Sequence, residues 1–134
     1  MNVLIDTNII LDFLLQRDPF FLDTERLFQR IDAGDVVGYA TATTLTDIFY
    51  IARRQTGSLN LARQAIADIL TALVICPVDR VVLETALTIG INDFEDAVQI
   101  ACALAQNLDA IVTRDSRLLH PSIPTRTVQD ILTP

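Results

Sequence analysis

The chain has 134 residues, 51% of them apolar, with 17 acidic against 10 basic side chains and a formal net charge of −7. That length suits a single domain over residues 1–134 and leaves no room for a second core, and so apolar a composition excludes a disordered chain. All ten bases are arginine and lysine is absent. This removes P-loop and Schiff-base lysine chemistry and disfavours phosphoaspartate enzymes and receivers, which need a lysine near the acceptor aspartate.

Short apolar runs alternate with helical patterns, the signature of an α/β fold. In chain order, the predicted elements are a strand at Asn2–Ile5, helices at Thr7–Gln16 and Phe20–Ala33, and a strand at Val37–Thr41. Helices at Thr43–Arg54 and Leu59–Leu73 follow, then a strand at Val74–Cys76 and helices at Asp79–Ile89 and Asp93–Gln106. The chain closes with a strand at Ala110–Thr113 and a short one through Thr125–Val128. Gly34, Gly57 and Gly90 mark helix ends, and Pro19, Pro77, Pro121 and Pro124 fall in the breaks. The strands read as continuous apolar runs, so the expected sheet is mostly parallel and covered by helices on both faces.

The apolar stretch Val3–Leu15 is broken by Asp6 and Asp12, so no membrane span is expected there. No basic residue precedes it, which argues against a signal peptide and for a soluble, cytoplasmic protein. Cys76 and Cys102 lie in apolar surroundings and read as small buried hydrophobes of a reducing compartment. The single His120, beside Pro121 in a loop, cannot make a His–His metal pair.

In a parallel sheet, sites lie at the carboxyl ends of strands, near a switch in strand order. Two strands leave there through an aspartate: Val3-Leu4-Ile5 into Asp6-Thr7-Asn8, and Ala110-Ile111-Val112 into Thr113-Arg114-Asp115. Either acid alone also fits a helix or turn cap. The helix from Asp93 carries the stripe Ala97, Ile100, Ala101, Leu104 and Ala105; at helical spacing Asp93 falls on it and Asp96 at its edge, while Glu95 points away. Asp47 lies off the apolar stripe Leu45, Ile48, Phe49 and Ala52, and with Thr44 it forms a Thr-x-x-Asp capping pattern, so periodicity alone favours a cap there.

At this point the sequence resembles the PIN-domain nucleases, the fold of VapC-type toxins. Three blocks carry the resemblance: Val3-Leu4-Ile5-Asp6-Thr7-Asn8, then Asp93-Phe94-Glu95-Asp96-Ala97, then Ile111-Val112-Thr113-Arg114-Asp115. It implies a three-layer α/β/α sandwich with a mostly parallel central sheet and a metal-dependent endoribonuclease, in the toxin case one half of a toxin–antitoxin pair. The family's four acids fall on Asp6, Asp47, Asp96 and Asp115, with Asp93 as an outer metal ligand and Asn8 and Thr113 as polar supports. The family often has Glu where this chain has Asp47, a side chain one methylene shorter. Hydrolysis leaving a 5′-phosphate and a 3′-hydroxyl, a homodimer and an antitoxin partner are further implications of the resemblance.

Crowded carboxylates repel one another and raise each other's pKa unless a cation intervenes. An all-oxygen set without His or Cys selects Mg²⁺ or Mn²⁺ over zinc. A net charge of −7 gives RNA no global attraction, so Arg53, Arg54, Arg114 and Arg117 are the candidates for local phosphate contacts, with solvated surface arginines as the plainer alternative. The aromatic residues read as core rather than as base-stacking platforms, Tyr50 included. Two other functions compete with the nuclease: a non-cleaving PIN module that binds RNA or a protein, and a phosphotransfer domain with Asp6 as acceptor. The latter lacks both a second Asp at position 8 and any lysine.

Overall fold

The computed structural model describes residues 1–133; Pro134, the end of the expected domain, lies outside the described residues. The elements run β1 (Asn2–Ile5), α1 (Thr7–Leu14), α2 (Phe21–Asp32), β2 (Val37–Thr41), α3 (Ala42–Thr56), α4 (Leu59–Ala72) and β3 (Val74–Cys76). They continue with α5 (Arg80–Ile89), α6 (Phe94–Ala105), β4 (Ala110–Val112), β5 (Thr125–Arg126) and α7 (Val128–Leu132). The strands form a five-stranded sheet in the order β3-β2-β1-β4-β5, and every pairing is parallel.

The sheet is buried on both faces, and the alternation of side chains along a strand divides the core in two. Val3, Ile5, Ala110 and Val112 face one way and pack with Ile9, Ile10, Leu27, Ile48, Ile69 and Ile131 from α1, α2, α3, α4 and α7. Leu4 and Ile111 face the other way, onto Val82, Ala86, Ile100, Ala101 and Cys102 of α5 and α6. The molecule is thus a three-layer α/β/α arrangement, as expected. Cys76 and Cys102 are both buried and unpaired, and loss of hydration pushes their thiols up to about 11 and about 12.

The chain end departs from the expectation. The strand expected through Thr125–Val128 stops at Arg126, and Val128 instead opens α7. Thr127 accepts a bond from the Asp130 backbone while the Asp130 side chain accepts from the Thr127 backbone, a reciprocal cap that starts a helix within two residues of the strand. Arg30 then donates to the carbonyls of Ile131 and Leu132, at 3.3 and 2.9 Å, and closes its other end.

The strand order switches direction at β1: the chain leaves it for β2 on one side and comes back as β4 on the other. The register of the β1–β4 pair runs Val3–Ala110, Leu4–Ile111 and Ile5–Val112, so both strands stop together. Their carboxyl ends open into one crevice.

Candidate active site

Asp6 and Thr113 come from this shared end. The Asp6 N–H donates to the Val112 carbonyl at 3.0 Å, which carries the β1–β4 ladder one residue past the strand. Asp6 occupies the N-cap position of α1, but its side chain makes no capping bond. Its carboxylate instead accepts from Gln99 Nε2 on Oδ1 at 2.9 Å and from Thr113 Oγ1 on Oδ2 at 2.8 Å. Asp6 is only 8% exposed, so these two donors replace hydration that burial removes. Of the two readings left open for this residue, the cap is the one the geometry rejects.

Asp115 follows Thr113 closely because its own N–H donates to Thr113 Oγ1 at 2.9 Å. One hydroxyl therefore fixes both acids. Arg117 grips Asp115 through Nε at 3.1 Å and Nη2 at 3.2 Å, and this contact holds the carboxyl below its usual range.

The start of α6 supplies the next acids. Asp93 caps the helix, accepting from the N–H groups of Glu95 and Asp96 at 3.0 and 3.2 Å. It is exposed, whereas periodicity had placed it on the buried stripe. Asp96 is half-buried, and its carboxyl is pushed up to about 6, first by loss of hydration and then by the charges of Asp93, Asp6 and Asp115. Asp93, Asp96 and Arg117 line one cavity of about 370 Å³ with Gly90, Ile91 and Asn92.

Asp47 reaches the group from α3. Thr41, and not Thr44, caps that helix, accepting from the Thr44 N–H at 3.1 Å, so Asp47 lies well inside α3 and its capping alternative falls. The α3 start is tied to α1 by a chain of hydroxyls, Thr41 to Thr44 at 3.0 Å and Thr44 to Thr7 at 3.0 Å. Glu95, expected to point away, meets Asp47. The Glu95 carboxyl is pushed up to about 8, foremost by its hydrogen bond with Asp47, then by loss of hydration and by the charges of Asp47, Asp93 and Asp6. Glu95 is exposed, off the buried stripe as its helical position implies, but the wheel could not show that its carboxyl would meet Asp47 of α3.

The structure thus brings Asp93 and Asp96 to one cavity, ties Asp6 and Asp115 together through Thr113 and sets Asp47 against Glu95; Glu95 and Gln99 are residues that the sequence reading missed. Gln99 was legible in one respect, as a polar residue interrupting an otherwise apolar helix and three positions after Asp96. It is 2% exposed, and its Oε1 is buried without a partner. Asn8, expected as a support, is exposed and makes no side-chain hydrogen bond among the described residues.

The four arginines separate. Arg117 stays at the crevice. Arg114 differs from the expectation of a phosphate contact: it makes a two-point bond to the fully buried Asp12, at 2.9 and 3.1 Å, and stacks on the Phe20 ring at 3.9 Å. A buried carboxylate demands such a partner, and this one holds the guanidinium in place. Arg53 and Arg54 are exposed near the far end of α3 and make no ion pair among the described residues.

As to a cation, the donors are carboxylates throughout, they crowd enough to raise Asp96 and Glu95, and Gln99 leaves an acceptor unused. These features suit a hard divalent ion in charge and donor type. Among the described residues, however, no three His, Cys, Asp or Glu side chains stand together in a coordinating arrangement. Asp115 is turned to Arg117, and Asp47 to Glu95.

The chain belongs to the PIN-domain family, whose sequence profile matches residues 2–117. No curated protein matches it in sequence. Among solved structures it is similar to VapBC2 from Rickettsia felis bound to a DNA fragment from its promoter, with a TM-score of 0.70 at 14% identity, over 95% of this chain and 98% of that one. It is similar to VapC20 of Mycobacterium tuberculosis, described as a toxin that cleaves the sarcin–ricin loop, with a TM-score of 0.70 at 18% identity, over 87% and 92%. A toxin–antitoxin complex from Klebsiella pneumoniae gives 0.68 at 17% identity, over 94% and 97%.

Proposed function

We propose that this chain, as a single PIN domain, is an endoribonuclease that hydrolyses RNA phosphodiesters with Mg²⁺ or Mn²⁺, working in the cytoplasm as the toxin of a toxin–antitoxin pair. The observation that carries this reading is Asp6, held at two points where the sheet switches direction, and we assign Asp47, Asp96 and Asp115 as its partners. Those four would hold the cation, with Asp93 as an outer contributor. When bound, the ion offsets carboxylate charge, lowers the pKa of water and steadies the charge that develops on phosphorus.

The protein's own side chains supply the rest. Gln99 and Thr113 orient Asp6. Thr113 also sets the turn to Asp115. Arg117 must turn from Asp115 for that carboxylate to accept a cation, and once released it offers a positive group in the cavity of Asp93 and Asp96 for a substrate phosphate. The antitoxin is assigned by likeness to the complexes among the structural neighbours, which share the fold at 14% and 17% identity. A homodimer is consistent with exposed Val81 and Leu87 on α5, at 69% and 74% exposure.

Asp6→Asn keeps the shape and removes the charge; it turns one of the two acceptors into a donor, which Gln99 can meet by presenting its unpartnered Oε1. The expected result is loss of Mn²⁺-dependent cleavage of single-stranded RNA with circular dichroism unchanged. Intact cleavage would overturn the reading. The paired state of Asp115 and Asp47 favours a second reading, a PIN module that binds RNA or a protein without cutting; absence of saturable Mn²⁺ binding by calorimetry would decide for it.

A further inference from the structure

We infer that the exposed face of α3 beyond Asp47 is a nucleotide-docking groove, in which Tyr50 stacks on an RNA base and Arg53 and Arg54 hold its phosphates. This rests on the ribonuclease reading for the substrate and extends it to a subsite that the acids do not form.

The geometry comes from helical spacing. Asp47, Tyr50 and Arg54 stand at i, i+3 and i+7, so they lie along one stripe of α3. The opposite side of the helix carries the buried Thr44, Ile48 and Ala52. The stripe therefore leads outward from the acidic crevice, first to an aromatic ring and then to a cation about 10 Å along the axis, near enough for one strand held at the acids to reach both. Phe49, Tyr50, Arg53, Arg54 and Gly57 line one groove of about 420 Å³ there.

Two features mark this groove as a binding surface. Tyr50 is 64% exposed, contrary to its reading as a core residue. Arg53 and Arg54, like Arg30, Arg63 and Arg126, make no ion pair among the described residues, but they alone of these five are adjacent in the sequence. On a chain of net charge −7, an adjacent pair of uncompensated cations beside an exposed ring stands out. A ring and two cations match the two repeating parts of a single strand, a flat base and a phosphate. An acidic protein segment would use the cations but has no need of the ring.

The test measures fluorescence anisotropy of a labelled single-stranded oligouridylate on the full chain carrying Asp6→Asn, in chelator, with thermal melting as the folding control. R53Q/R54Q should weaken binding at least tenfold and lower the salt slope by about 1.4, the share of two phosphate contacts. Tyr50→Ala should weaken it at least about fivefold while Tyr50→Phe retains it. Unchanged affinity in these variants, or poly-L-glutamate binding as tightly as the RNA, would overturn the groove. The two readings fail separately. A wild-type chain that binds RNA here but never cuts it refutes the nuclease alone. One that cuts RNA with the same KM in R53Q/R54Q and Tyr50→Ala refutes the groove alone.

Discussion

Asp6 illustrates how a single carboxylate is made rigid. Each oxygen has its own donor, and both donors come from residues about a hundred positions away: Gln99 on α6 and Thr113 after β4. Gln99→Leu would leave Oδ1 buried without its partner. Removing a side chain that orients a ligand typically costs 10–100-fold in cation affinity; Mn²⁺ titration of Gln99→Leu is expected to show a loss of about that size, together with a lower melting temperature from the unpaired carboxylate oxygen. Glu95 makes a different prediction. Its pKa is raised in the folded chain to about 8 from 4.5, so folding favours its protonated form. That stabilisation is complete below about pH 4.5 and is lost as pH rises through about 8. In cation-free buffer the melting temperature should fall across that window, and Glu95→Gln should flatten the fall; an unchanged slope would contradict the Asp47 contact. The sequence made Asp6 and Asp115 legible because strands end there. It hid Glu95 and Gln99 because their partners lie on other elements.

At the scale of elements, local patterning located every helix of eight residues or more, since amphipathic stripes and terminal glycines persist whatever the tertiary context. α7 was missed. Five residues carry too little periodicity, although Thr127-x-x-Asp130 was a usable capping signal. β2 shows a constraint that no periodicity reveals. A Cβ on Gly38 would sit 2.6 Å from Leu73 Cδ2, 2.9 Å from Ile31 Cδ1 and 3.0 Å from Ile5 Cδ1. Side-chain ends from β1, from α2 and from the junction between α4 and β3 meet over that one glycine, so the neighbours must yield together. Gly38→Ala should destabilise the fold by about 1–3 kcal/mol, read as a lower midpoint in urea with the slope unchanged.

For the whole molecule, the excess of acid is concentrated where the proposed cation belongs, and binding should therefore be visible in stability. A ligand that binds only the folded state at a hundred times its Kd adds about 2.7 kcal/mol. Excess Mn²⁺ should raise the melting temperature of the wild-type chain and leave Asp6→Asn nearly unmoved. An equal rise in both would mean that the ion binds elsewhere. Among the described residues no helix is long and apolar enough to cross a membrane.

The position of β1 also has a bearing on synthesis. β1 is the centre of the sheet, and the neighbour that completes its Asp6 end, β4, is made more than a hundred residues after it. The tie between Asn2 and Asp109, through a 2.7 Å bond in each direction, cannot form before then. A nascent chain thus carries an open apolar edge at Leu4 and Ile5, and an Asp6 with neither Gln99 nor Thr113 to aim it. The Asp6 carboxylate therefore gains its fixed aim only after both α6 and the turn past β4 have been made.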